Sequence, residues 1–145
     1  MESAVRLLGT REKVLMVFGS ANRSLRRHVA HSLVYLLSED KKISFPAYIY
    51  VPYHGPYSSQ LQNDLNFLTS IGNLEVGSSE VSYKISRDGR EVLGEWTKDP
   101  SIRSLSDRIE GAVKELFDKY DSDELLQEAY RQMSLQLAKR MSTVR

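Results

Sequence analysis

The chain has 145 residues, 41% apolar and 27% charged, with a net charge of +1 and no cysteine. This composition fits one globular domain with a short appendage and argues against disorder, disulfides, thiolate metal sites and cysteine nucleophiles. With bulk charge near zero, a nucleic-acid surface has to come from local clustering of cations.

No apolar run approaches the roughly 20 residues that a membrane helix needs. Met1-Glu2-Ser3-Ala4 lacks the basic region and apolar block of a signal peptide. A cytoplasmic protein with no membrane partner is expected. Over residues 3–18, Val5, Leu8, Leu15 and Phe18 recur at helical intervals, with Thr10 as cap for a helix from Arg11 and Gly19 as its end. The run Val14–Phe18 also fits a buried strand, and helix is the preferred reading. A second helix is expected over Ser24–Ser38, burying Leu25, Val29, Leu33, Leu36 and Leu37, before a solvated turn at Glu39–Lys42. Residues 43–53 then alternate. Ile43, Phe45, Ala47, Ile49, Val51 and Tyr53 share one side, with Tyr48 and Tyr50 on the outer one. That pattern predicts a strand, which Pro46 and Pro52 restrict to a short or edge position.

His54-Gly55-Pro56-Tyr57 reads as a turn. Ser58 or Ser59 caps a third helix over 58–71, Gln62 completing a capping box and Leu61, Leu65 and Leu68 forming the buried stripe. Gly72-Asn73 stops it. A hairpin follows, with Leu74 and Val76 on one arm, Val81, Tyr83 and Ile85 on the other, and Gly77-Ser78-Ser79 as the turn. Ser86 caps a helix carrying Val92, Leu93 and Trp96, which Asp99-Pro100 breaks. Finally, Ile102, Leu105, Ile109, Val113, Leu116, Phe117 and Tyr120 line one long helix. Asp121 and Glu124 start a second one with Leu126, Tyr130, Met133 and Leu137 inward. The pair is expected as a helical hairpin.

This order is what a winged helix-turn-helix needs. The expected fold is therefore α+β, predominantly α, with a winged-helix domain over 1–98 and a helical extension over 101–145. The string Tyr53-His54-Gly55-Pro56-Tyr57-Ser58, followed by Leu61, Asp64-Leu65, Leu68 and Gly72, resembles the pattern of small prokaryotic winged-helix proteins, the phage-associated, Panacea-like antitoxins and their uncharacterised relatives. Tyr83-Lys84-Ile85-Ser86-Arg87-Asp88-Gly89 is similar to the step after the wing in many winged-helix regulators. The resemblance covers roughly residues 25–96. It implies the fold more than any one activity, and the family includes proteins that act through protein partners.

Candidate chemistry is sparse. Gly55-Pro56-Tyr57-Ser58 stands where a helix N-terminus can take a phosphate, although a turn and cap, with Tyr57 packed on the wing, is the preferred reading. The exposed face of helix 58–71 offers Ser59, Gln60, Asn63 and Asn66, and amides read adenine edges. Yet the helix has no Lys or Arg and carries Asp64, so a solvated face fits equally well. Cations cluster at Arg23, Arg26 and Arg27, beside His28 and His31, and at Lys84, Arg87 and Arg90, diluted by Asp88 and Glu91. If both groups flank the third helix, they can hold the two phosphate backbones. His28 and His31 have metal-ligand spacing, but Arg26 and Arg27 repel a cation and no carboxylate is near in sequence. No metal, cofactor or catalytic set is expected. Two expectations follow. One is a DNA-binding regulator, dimeric through its C-terminal helices, with duplex DNA as partner. The other is a protein-interaction module, of antitoxin or adaptor type, suggested by the uncharged third helix, the tyrosines and the balanced charge.

Overall fold

A computed structural model describes residues 8–77 and 80–143. Met1–Ala4, Val5 and the turn residues Ser78 and Ser79, all read above, lie outside them. The elements in chain order are α1 (Thr10–Ala21), β1 (Leu25–Arg26), α2 (Arg27–Glu39), β2 (Val51–Pro52), β3 (Pro56–Tyr57), α3 (Ser59–Ser70), β4 (Leu74–Val76), β5 (Ser82–Ile85), α4 (Arg87–Trp96), α5 (Pro100–Lys119) and α6 (Ser122–Thr143). The chain is mostly helical, with an antiparallel sheet of order β1-β5-β4 and a separate two-stranded sheet of β2 and β3.

The rest of the fold packs around α1. All five residues Val14–Phe18 are buried, because α5 lies along α1 while α3, α4 and β5 also pack on it. A helix apolar on every side has to be enclosed, which is why this run shows no period. Thr10 is not its cap; Gly9 holds that position, without a side-chain bond. Gly19 does not end it either. The helix runs on to Ala21 and closes on Asn22, whose φ of 51° is left-handed. Gly19 instead admits Leu93 of α4, whose Cδ1 lies 2.5 Å from where a Cβ would stand.

The second helix starts later than its leucine spacing predicts. Leu25 and Arg26 are extended and pair with Tyr83 and Ser82 of β5. Leu25 is buried in this arrangement, so its apolar character is used whether the segment is helix or strand. The alternating strand expected over 43–53 is not formed. Ile43 and Phe45 are buried, but a turn at Pro46–Ala47, closed by the Tyr48 N–H on the Phe45 carbonyl (3.1 Å), adds one residue. Parity then inverts, as any one-residue slip requires. Tyr48 is buried and Tyr50 packs on the core, while Ile49, Val51 and Tyr53, expected inward, are exposed. Only Val51–Pro52 is strand, paired with Pro56–Tyr57. Gly55 closes this hairpin at φ 110°, a conformation side chains rarely adopt.

Ser58 caps α3, its Oγ accepting the Leu61 N–H at 3.2 Å. The capping box expected with Gln62 is not made, because Gln62 reaches α2 and β5 instead. Gly72 stops the helix, with φ 86°. In the second hairpin Leu74 pairs with Ile85 and Val76 with Tyr83. Ser86 caps α4 through the Gly89 N–H (2.9 Å). Gly89 packs so tightly that a Cβ would stand 2.3 Å from the Asn73 carbonyl oxygen.

Asp99 caps α5, accepting the N–H groups of Ser101 and Ile102, with Pro100 in the first turn. Asp121 and Glu124 form the expected reciprocal capping box at the start of α6 (2.8 and 3.2 Å). These two helices meet the N-terminal half more than each other: α5 runs along α1 and α6 along α2. On α6 Met133 is buried as expected and Leu126 and Leu137 pack partly on the core, but Leu125 and Ala129 are the fully buried positions and Tyr130, expected inward, is 56% exposed. One cluster of buried side chains draws on α1, α2, α3, β5, α5 and α6. Among the described residues no helix is long and apolar enough to cross a membrane.

The contacts of two glycines set opposite expectations. Gly89→Ala forces a Cβ against backbone and should destabilise by about 1–3 kcal/mol. Gly111→Ala, exposed within α5 and with nothing within 4 Å of its Cβ, should stabilise by about 0.5–1 kcal/mol. Urea denaturation of the two variants measures both.

Candidate functional site

A hydrogen-bonded link through His31 joins α2, α3 and β5. The ring is fully buried and stacks on Tyr57 at 4.5 Å. Its Nδ1 accepts the backbone N–H of Ser58 at 3.1 Å, and its Nε2 lies 3.0 Å from Gln62 Oε1. A nitrogen that accepts cannot carry the proton, so the tautomer follows: Nδ1 is bare and Nε2–H donates to Gln62. The Gln62 amide then donates to Tyr83 on β5 (2.7 Å) and to Asn66 (3.0 Å). Burial pushes the His31 pKa down to about 4, with His28 and Arg27 adding to the effect and the Gln62 bond opposing it.

A second link holds the 43–50 segment against the other flank of α3. Tyr48 donates to Asp64 Oδ2 at 2.5 Å, and Arg11 Nε contacts Asp64 Oδ1 at 3.2 Å while its guanidinium lies over the Phe67 ring at 3.7 Å. Gln60 accepts the Ile49 N–H at 3.2 Å and the Ser58 hydroxyl at 3.0 Å. Of the four residues expected to face bases, Gln60 is therefore occupied within the chain and Asn66 is bonded to Gln62. Ser59 and Asn63 stand exposed. Gly55, Pro56, Tyr57 and Ser58 act as hairpin turn, stack and cap, and Tyr57 packs on His31 rather than on the β4–β5 hairpin.

The six expected phosphate-binding cations lie on several different elements. Arg23 lies over Phe117 of α5 at 3.7 Å, and Arg90 bonds to Asn22 at the end of α1; both border Glu110 of α5. Arg87 is highly exposed and pairs with Glu91 at 3.6 Å. Lys84 is exposed on β5 opposite Glu75, and alternation puts it on the strand face away from Tyr83. Arg26 pairs with Asp123 of α6 at 3.2 Å. Arg27 starts α2, its N–H on the Val81 carbonyl. Only Arg26 and Arg27 thus remain at the corner formed by the start of α2 and the β2–β3 hairpin.

That corner also collects His28, Tyr53 and His54, with ring centroids 5.0–6.1 Å apart. Burial, then Arg27, His54 and Arg26, hold the His28 pKa below its ordinary value. Among the described residues no group of three or more His, Cys, Asp or Glu is placed to hold a metal. What the sequence did not single out is a set of exposed apolar side chains along α3. Phe67 and Ile71 share the helix face of Gln60 and Asp64, and Ile49 is held against its upper end; the three are 40, 53 and 68% exposed. The missing signal was positional, since Ile49 was read as buried.

The chain matches no known family, characterised protein or solved structure.

The His31 link has a pH signature. Between the unfolded pKa of about 6.5 and the folded value of about 4, the unfolded chain binds a proton that the folded chain refuses. Stability therefore falls as pH drops through this window, by at most about 1.4 kcal/mol per unit and on the order of 3 kcal/mol in total. His31→Asn should start less stable at pH 7.5 and lose less on acidification, read by urea denaturation at a series of pH values.

Proposed function

We propose that the chain is a winged helix-turn-helix used as a protein-interaction module, docking a protein partner along α3. The connectivity α1-β1-α2-α3-β4-β5, with β1 completing the β4–β5 sheet, supports the winged-helix reading. So does the resemblance carried by Tyr53–Ser58. The observation that carries the interaction reading is that Ile49, Phe67 and Ile71 are exposed along a helix that itself has no Lys or Arg, with Arg11 of α1 lying over Phe67. Large exposed apolar side chains suit a partner's apolar face. Most of the amides that would read DNA are engaged within the chain. The C-terminal helices pack on α1 and α2 of the same chain.

Duplex DNA binding is the second reading, favoured by Arg26 and Arg27 at the start of α2 and by exposed Ser59 and Asn63. Two phosphate contacts imply a salt slope of only about −2.

Photo-crosslinking separates the two. A crosslinker at position 49 or 71 should capture a protein in the source cell, whereas one at exposed position 111 on α5 should not. With the crosslinker at 49, Ile71→Glu should abolish capture, and with the crosslinker at 71, Ile49→Glu should; each substitution should shift stability by no more than about 0.5 kcal/mol. No capture from 49 or 71, together with salt-dependent retention of duplex DNA that is lost on removing Arg26 and Arg27, would replace this reading with the second.

A further inference from the structure

Among the described residues, the sealed side-chain atoms left without a hydrogen-bond partner are Arg27 Nε, His28 Nδ1, Ser32 Oγ, Tyr35 Oη and Tyr50 Oη. Four of the five belong to α2. His28, Ser32 and Tyr35 recur at i, i+4 and i+7, which is one ridge of that helix, and Arg27 stands at its start. Tyr50 meets Tyr35 from the 43–50 segment, the two rings edge to face at 5.1 Å. Folded proteins leave few such groups unpaired, because each forfeits its hydration without replacement. Here they gather on a single seam.

The β2–β3 hairpin and α6 close that seam. Tyr53 and His54 pack their rings against His28, and Gly55 brings the turn to Ser32 Oγ, 3.8 Å from where a Cβ would stand. At the tyrosine end, α6 is the cover. A cavity of about 260 Å³ there is lined by Tyr35, Tyr50, Met133 and Leu137, and another of about 310 Å³ towards the start of α2 by Arg27, His28 and Leu126. The hold on α6 is thin. Its buried side chains are Leu125, Ala129 and Met133, whereas α5 sinks Ile102, Ile109, Ala112, Val113 and Leu116. Its polar links to α2 and its flanks are Asp123 to Arg26 (3.2 Å), Gln132 to Asp40 (3.1 Å) and Gln136 to Glu39 (2.9 Å), at exposed or half-buried positions where such links contribute little. Arg140 interacts electrostatically with Tyr35, as Glu39 does. The helix packs chiefly on α2, and far less on α5 and β3.

We propose that α6 is a strap that opens as a unit while the rest of the fold stays formed. Opening hydrates the Tyr35 and Tyr50 hydroxyls, frees Arg26 from Asp123 and withdraws a support of the hairpin over His28 and Ser32. The α1 core keeps its enclosure by α3, α4, α5 and β5. Unpaired polar atoms and incomplete packing both raise the free energy of the closed seam, so it gives way before the apolar one between α1 and α5. The closed chain thereby hides a polar face of α2 that the open chain presents.

Native-state hydrogen exchange of the full chain across a urea series tests this. Amides of residues 125–133 in α6 should exchange at least about tenfold faster than those of residues 15–18 in α1, with a weaker dependence on urea. Tyr35→Phe and Tyr50→Phe each delete a sealed, unpaired hydroxyl and should each slow the α6 exchange by at least about fivefold. Tyr83→Phe deletes a hydroxyl that is bonded to Gln62 and should not slow it. A helix that only frays at the chain end would exchange fast but ignore Tyr35 and Tyr50. Loss of protection in α6 and α1 together, at one rate and one urea concentration, overturns the proposal. So does unchanged α6 exchange in both variants at 35 and 50, or equal slowing by Tyr83→Phe.

Discussion

A neutral imidazole sealed between two helices sets the geometry on which the candidate surface depends. His31 serves α3 at its weakest point, the first turn, where backbone N–H groups have no partner inside the helix. The Ser58 side chain satisfies Leu61, and the His31 ring satisfies Ser58 itself. Gln62 then carries the link to β5 through Tyr83. Protonating the ring would remove the acceptor for Ser58 and place a charge where burial opposes it. Because an orphaned buried donor costs about 1–3 kcal/mol, the angle between α2 and α3 and the position of the β4–β5 hairpin are tied to one proton.

The same economy of polar groups shapes the outer side of α3. The long connection between α2 and α3 has only two short strands of its own, and it is held by Tyr48 on Asp64 and by the Ile49 backbone on Gln60. Asp64 and Gln60 are spent on that connection and Gln62 on α2 and β5. What α3 still presents is Ser59, Asn63 and Phe67, with Ile71 at its end and Ile49 delivered by the connection. The protein-docking reading rests on that set.

The C-terminal helices change what the small core can do. Val14–Phe18 can all be buried only because α5 covers α1, and α6 completes the wall opposite Tyr35 and Tyr50. A segment that reads as an appendage in sequence is part of the enclosure. It also lines a cavity with Met133, Leu137 and Arg140 opposite Tyr35, Glu39 and Tyr50 from the first half of the chain.

Several features were legible in the residues alone. Ser86 and the Asp121–Glu124 box marked helix starts, Gly72 and Asp99-Pro100 marked ends, and the stripes of α3 and α5 marked buried faces. Each depends on neighbours within about four residues, so local backbone chemistry determines it. Other features belonged to tertiary structure. Leu25 is strand because β5 has an edge to fill, Gly19 lies inside a helix because Leu93 needs its space, and the 43–53 alternation inverts because Pro46–Ala47 turns. His31, Gln62 and Tyr83 acquire their roles from partners tens of residues away. A sequence pattern records which side chains avoid water, but not which of them share a pocket or a proton, since that depends on how distant segments pack.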